Sequence, residues 1–317
     1  MPEIVRYTAS LSSEWNDFVQ HSKNGTFLFH RSYMDYHSDR FVDHSLMVRH
    51  KGRLLALFPA NESKGTLYSH QGLTYGGLVT DSRATTALVC DTMKAINHYL
   101  AERNITQVVY KAVPWPYHTL PAEEDLYAIT HICRGSLLVR HISSTIDLTN
   151  RLPFTESRRS GLRKAKACGL QVKEKGVEGL RDFWRVLTGN LHIKYATHPV
   201  HTVDEMCLLM KRFPKNIRLF TVDDGDKVLG GTVIYLTPQV AHTQYISAST
   251  EGKQHGALDL LFNHILRLDL GCRYFDFGKS SDGDGEKLNG PLIFQKEGFG
   301  GRGICYDWYR WDVKDSE

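Results

Sequence analysis

The sequence is poor in the features that would fix its chemistry at a glance. Its six cysteines, Cys90, Cys133, Cys168, Cys207, Cys272 and Cys305, are scattered. No two stand at the C-x-x-C spacing that a zinc site or a redox pair needs, so no bound metal and no disulfide framework are expected. No apolar run approaches the roughly 20 residues that cross a bilayer. The first residues lack the charged-then-apolar order of a secretory signal. The expected setting is therefore the cytoplasm, with reduced thiols. No low-complexity segment occurs. The formal charge is only +4 over 317 residues, which gives no global argument for nucleic acid and leaves only local clusters to make one.

What is present is an ordered series of elements that occurs twice. A chain of this length suits two domains, each able to bury its own core. Residues 217–223 and 227–236 read as strands joined by Asp223-Asp224-Gly225-Asp226, a hairpin signal. A third strand is expected at 240–248, then a helix at about 256–270, a strand at 273–277 and a helix at 287–297. The first half has the same series at 45–50, 53–59, 66–70, a helix at 84–103 and a strand at 105–111. Further helices are expected at 12–21, 123–131, 155–168, 177–190 and 202–212, and strands at 137–142 and 170–174. Thr149-Asn150-Arg151-Leu152-Pro153 is the expected boundary, giving domains 1–150 and 151–317. The helix after it is basic: residues 157–175 hold Arg158, Arg159, Arg163, Lys164, Lys166, Lys173 and Lys175 against Glu174 alone, a net of +6. Such a run is most often a solvated face.

The element order over 176–312 resembles the GNAT acyltransferase fold. The duplication, the basic helix after the boundary and the terminal Phe294-Gln295-Lys296-Glu297-Gly298-Phe299-Gly300 resemble its FemABX-like branch, also described as BioF2-like acetyltransferases. The resemblance covers nearly the whole chain. It implies an α/β (α+β) fold of two tandem GNAT-like domains, each a mixed central sheet flanked by helices, the first with a lost donor site. It also implies an N-acyltransferase that moves an acyl group from acyl-coenzyme A to an amine, such as an amino sugar or peptide of a cell-envelope precursor. Relatives in the branch use aminoacyl-tRNA instead, and a non-catalytic ligand-binding protein on a decayed fold is a third reading. Direct attack of an amine needs no covalent enzyme intermediate, and the chain has no G-x-S-x-G elbow.

The resemblance also implies a site. GNAT enzymes cradle the coenzyme pyrophosphate before a helix, and the matching stretch is Glu251-Gly252-Lys253-Gln254-His255-Gly256-Ala257. Only Gly256 fits the pattern, so Lys253, Gln254, His255 and Gly256 are candidate donor residues beside the alternative of a plain tight turn. Lys296 stands three residues before Phe299-Gly300, where relatives place a functional lysine, and suits an oxyanion or an anionic substrate group. Phe299 is expected to pack. Tyr245, in mid-strand, is a candidate to line the cleft or serve a leaving thiolate, although a strand tyrosine is more often core. Asp276, among aromatics, must have partners if buried. Lys194 and His198, Lys279 and Asn289 are candidate acceptor residues on loops. Arg31, His37, Tyr117 and His118 are candidates for an acceptor groove between the domains, against a structural reading of the aromatic members. tRNA is a less favoured partner, because no long helical arm is present.

Overall fold

The computed structural model describes residues 2–195, 197–282 and 285–313, with the backbone alone at 193–195. Their packing divides the chain into two compact units. One takes the described residues of Met1–Ile142, Ser281–Lys287 and Cys305–Glu317, the other Ser143–Ser280 and Leu288–Ile304. These bounds differ from a single cut at residue 150. The C-terminal strand Arg302–Asp312 is the reason. Trp308–Asp312 pairs antiparallel with Gln107–Lys111. Trp311 is buried in the first unit's core, its indole donating to Asn97 Oδ1 at 3.0 Å. Burying that ring with its N–H satisfied outweighs proximity in sequence.

In the first unit, Glu3–Arg6, Leu46–His50, Arg53–Phe58 and Val79–Thr80 form an antiparallel sheet. The helix Thr86–Ala101, capped by Thr85, buries Val89, Met93, Ile96 and Leu100 at the helical spacing of the sequence. It links Thr66–Tyr68 to Gln107–Lys111, which run parallel.

The second unit repeats that plan at larger scale. Its strands lie in the order Gln171–Lys175, Ile217–Asp224, Lys227–Leu236, Val240–Ala248, Tyr274–Lys279 and residues 143–147. Only Val240–Ala248 and Tyr274–Lys279 are parallel, because helix Ala257–Ile265 carries the chain back between them. The expected hairpin at 223–226 is present, with Gly225 at φ +58°. One face of this sheet, with Ala241, Ala248, Phe275 and Phe277, packs with Leu261, Phe262 and Ile265 of that helix and with Phe299. Phe299 is thus a packing residue, as expected.

Ala257–Ile265 also packs on the basic helix Glu156–Ala167. Gly256 has φ +75°, and a Cβ there would lie 2.2 Å from the carbonyl oxygen of Gly161. In turn, Gly161 leaves room for Asp259, which meets Arg158 at 3.0 Å. Gly256→Ala therefore meets both a left-handed backbone and a backbone clash. It is expected to lower stability by at least about 2 kcal/mol, read as a shift in the denaturation midpoint.

Candidate active site

The site is built where two parallel strands part. Val240–Ala248 pairs with Tyr274–Lys279 at only three registers, Val240 with Tyr274, Ala241 with Phe275 and His242 with Asp276. Beyond that point each strand is turned aside. A bulge at Gln244 sets Tyr245 opposite Val233 and Thr243 opposite Ile234. Gly278, at φ +74°, bends the other strand. The bulge also sets the facing. Ala241, Ile246 and Ala248 belong to the apolar cluster, so His242, Tyr245 and Ser247 lie on the opposite face, as Asp276 does between Phe275 and Phe277.

Lys296 closes the apex of this notch. It lies in helix Gly290–Gly298, which has Pro291 in its first turn after the Asn289 cap. It is 5% exposed, and its ammonium donates to the carbonyls of Gly278 at 2.7 Å and Lys279 at 2.9 Å. Those carbonyls lie past the last register with Val240–Ala248, so the side chain supplies donors that the strand does not. Burial pulls the Lys296 pKa down to about 8, opposed by the nearby Asp276. The ammonium has three N–H donors, and the two bonds to Gly278 and Lys279 leave a third. Lys279 itself is lowered by burial. Asn289 accepts from Leu292 N–H at 3.1 Å and donates its own N–H to the Ser280 carbonyl at 2.9 Å. Lys279, Asn289 and Lys296 are thus gathered by the strand end and the helix start.

Asp276 is fully buried, and its partners are as definite as its burial requires. Oδ1 accepts from Ser143 Oγ at 2.5 Å and Thr145 Oγ1 at 2.8 Å, and Oδ2 meets His242 Nδ1 at 2.7 Å. His242 is not among the residues that the sequence singles out. Its alternation with buried Ala241 is the only local signal, and its partner lies 34 residues away.

Tyr245 packs its ring edge on Trp184 at 5.0 Å, and its hydroxyl meets His201 Nδ1 at 2.5 Å. Burial raises the phenol to about 12, so it is a proton donor throughout the neutral range. His201 is its partner. His198 is exposed, with its ring 6.4 Å from His192. The Lys194 side chain lies outside the described residues.

The stretch 251–257 does not form the anion cradle expected of it. Ser249 caps the short helix Thr250–Gln254 by accepting from Gly252 N–H at 3.0 Å. The N–H groups of Lys253, His255 and Gly256 bond to Ser249, Glu251 and Lys253 carbonyls. Glu251 pairs with Lys227, and Lys253 bonds Asn190 Oδ1. Gln254 is exposed, and His255 ends the helix. The glycines serve packing: a Cβ at Gly252 would lie 2.3 Å from the Leu229 carbonyl oxygen, and Gly256 faces Gly161. The residues present therefore do not fit a coenzyme pyrophosphate at this turn.

The first unit's candidates are taken up internally. Arg31 is buried, paired with Asp35 at 2.5 Å and Asp43 at 2.7 Å, and stacked 3.8 Å above the Tyr7 ring. His37 is buried between Tyr36 and His70, with Nδ1 on the Met34 carbonyl. Tyr117 is fully buried, its hydroxyl 2.8 Å from that of Tyr306. His118 meets the Val113 carbonyl at 3.1 Å, and burial lowers it to about 4. The parallel strands of this unit also pair at three registers, and Lys111 lies past the last of them. Lys111 N–H donates to Ser69 Oγ at 2.7 Å, and its ammonium binds the carbonyls of His70, Gln71 and Leu73.

Among the described residues no group of histidine, cysteine and acidic side chains is placed to hold a metal. No described helix is long and apolar enough to cross a membrane.

Comparison with known proteins agrees with the fold. Residues 156–286 match the family model of the acetyltransferase (GNAT) domain. A search of curated proteins gives no significant match. The crystal structure of FemX is similar over 99% of this chain and 98% of its own, with a TM-score of 0.68 and 11% identity. The C-terminal domain of a putative lysylphosphatidylglycerol synthetase from Agrobacterium fabrum aligns over 96% of this chain and 91% of its own, at TM-score 0.61 and 13% identity. A tandem GNAT protein from the clavulanic acid biosynthesis pathway covers both chains fully, at TM-score 0.54 and 12% identity. The chain has a tandem GNAT fold similar to that of FemX, and its residues 156–286 match the acetyltransferase (GNAT) domain.

Proposed function

We propose that the second unit is an N-acyltransferase, moving an acyl group from an activated donor to an amine. The observation that carries this reading is the notch between Val240–Ala248 and Tyr274–Lys279, with the buried ammonium of Lys296 at its apex. Past His242 the edge of strand Val240–Ala248 has no strand partner among the described residues on the Tyr274–Lys279 side. It offers backbone donors and acceptors to an extended acyl carrier. A tetrahedral intermediate formed there bears an oxyanion. The free N–H of Lys296 would stabilise it in a water-poor setting, where a fixed charge acts more strongly than in water. Tyr245, protonated at neutral pH, would donate a hydrogen bond to a leaving thiolate or alkoxide and keep its own proton. Lys279 and Asn289 would line the acceptor side. The amine sugar or peptide of a cell-envelope precursor is the acceptor class that the FemX-like likeness suggests.

Acyl-coenzyme A is the donor that the GNAT match suggests. The closed turn at 251–257, with Glu251 at its start, favours a second reading, in which the donor is an aminoacyl ester of tRNA. The exposed Arg159, Arg163, Lys164 and Lys166 of the basic helix would then meet phosphates. Incubation with acetyl-coenzyme A and a panel of primary amines, following thiol release, separates the two. Turnover at micromolar donor supports the thioester. No turnover with the thioester, but salt-sensitive transfer from charged tRNA, supports the ester. No transfer from either removes the enzymatic reading.

A further inference from the structure

We infer that His242, oriented by Asp276, is a further catalytic residue that takes the proton released when the amine is acylated; the inference rests on the acyl-transfer reading above. Three observations converge on it. First, His242 stands at the last paired register, where the two strands part, and its side chain keeps 10% exposure beside the fully buried Asp276. Second, Asp276 Oδ1 is filled by Ser143 and Thr145, leaving Oδ2 for the imidazole at 2.7 Å. A carboxylate with both hydroxyl donors on one oxygen fixes the ring with its proton on Nδ1, which puts the lone pair on Nε2. Third, the ring lies along the turn that Lys296 holds. A Cβ on Gly278 would be 3.2 Å from His242 Cε1 and 3.8 Å from Nε2, and the Gly278 carbonyl is a Lys296 acceptor. Base and ammonium therefore address the same place.

Asp276 on the neighbouring strand meets the ring, Tyr235 stands opposite it across the other strand pairing, and the ammonium of Lys296 lies on the Gly278 and Lys279 carbonyls of the adjoining turn. The proposed step conserves protons and electrons. The amine nitrogen bonds to the acyl carbon, and His242 Nε2 accepts the proton from that nitrogen. The intermediate then collapses with cleavage of the acyl carbon's bond to sulfur or oxygen, and the imidazolium returns its proton to the leaving group. Asp276 stays a carboxylate and acts as a positioning residue.

Two measurements decide this. In the wild-type protein with 15N-labelled histidine, His242 is assigned from the His242→Gln spectrum. In the neutral ring Nδ1 is expected to carry the proton and Nε2 the lone pair. A neutral ring with its proton on Nε2 overturns the inference whether or not turnover is detected. In the thiol-release assay His242→Gln is expected to lose about 100-fold or more in kcat, with donor KM little changed and the acidic limb of the pH profile gone. Asp276→Asn, whose amide can donate to Nδ1 and reverse the tautomer, is expected to lose a similar factor. A His242→Gln enzyme that is folded, active and unchanged in pH profile overturns the inference. Wild-type protein without turnover on any thioester fails the coenzyme reading instead, and the histidine spectrum still decides the dyad.

Discussion

Replacement of Lys296 by methionine is expected to abolish most of the transfer activity while leaving the protein folded. The side chain is 5% exposed, and burial brings its pKa down from 10.5 to about 8. Holding the ammonium there at neutral pH costs about 3 kcal/mol relative to a neutral amine. The sign follows from the direction of the shift. Below about pH 8 both folded and unfolded lysine are charged and the cost is constant. Between about 8 and 10.5 the unfolded chain binds the proton more strongly, so stability from this group rises with pH. Methionine removes that cost but strands the carbonyls of Gly278 and Lys279, at about 1–3 kcal/mol each if water does not reach them. The two effects oppose, so the stability change is expected to be a net loss of about 2 kcal/mol or less, read by denaturant titration. Catalysis has no such offset: losing one oxyanion donor costs about 10²–10³ in kcat. Wild-type transfer is further expected to fall as pH rises through about 8, when the ammonium discharges. In Lys296→Arg, which stays charged, any residual activity would lack that fall. Undiminished kcat in Lys296→Met would leave the lysine only its role as a donor to the strand end.

How far the sequence carried this site depends on whether its signals were local. The hairpin at 223–226, the helix Val203–Arg212 with its Thr202 and Glu205 capping box, and the amphipathic Thr86–Ala101 are local patterns, and each could be read directly. Lys296 is singled out by its position in the terminal motif, and Asp276 by the rule that a buried carboxylate needs partners. The dyad was not readable. Pairing His242 with Asp276 requires the register of two parallel strands joined through a helix, and the bulge at Gln244 breaks the alternation that would have assigned faces. The stretch 251–257 misled for a related reason. A glycine that lets a helix approach backbone looks, in sequence, like one that admits phosphate, and only Gly161 opposite Gly256 distinguishes them. Arg31 misled because a polar tip among aromatics reads as a binding residue until Asp35 and Asp43 fold onto it.

The first unit is expected to lose stability as the solution is acidified, well before its surface carboxylates protonate. Burial lowers His70 to about 3 and His118 to about 4, and it also lowers His30, His37 and His44. His70 sits 5.4 Å from the parallel ring of His37, and charging either ring would penalise the other. All are neutral in the folded state near pH 7, so their burial costs nothing extra there. As pH falls below about 6.5 the unfolded chain takes up protons that the folded chain refuses, and stability is lost until the folded pKa is reached. At pH 5 this amounts to about 2 kcal/mol each for His70 and His118. Asp125, buried against Tyr110 and raised by that burial to about 6, works in the opposite direction. It takes up a proton on folding between about 6 and 3.8 and returns about 1.4 kcal/mol at pH 5. The net loss of roughly 3 kcal/mol is a large part of the stability of an ordinary domain. Denaturant midpoints at about pH 7.5 and pH 5 are the check, with tryptophan fluorescence as the signal. His70→Asn is the informative variant: His70 has φ +61°, and asparagine tolerates that conformation while carrying no titrating group. It is expected to flatten the pH dependence by about half of the histidine contribution. An equal slope in wild type and His70→Asn would mean that the His37–His70 pair opens to solvent before the unit unfolds.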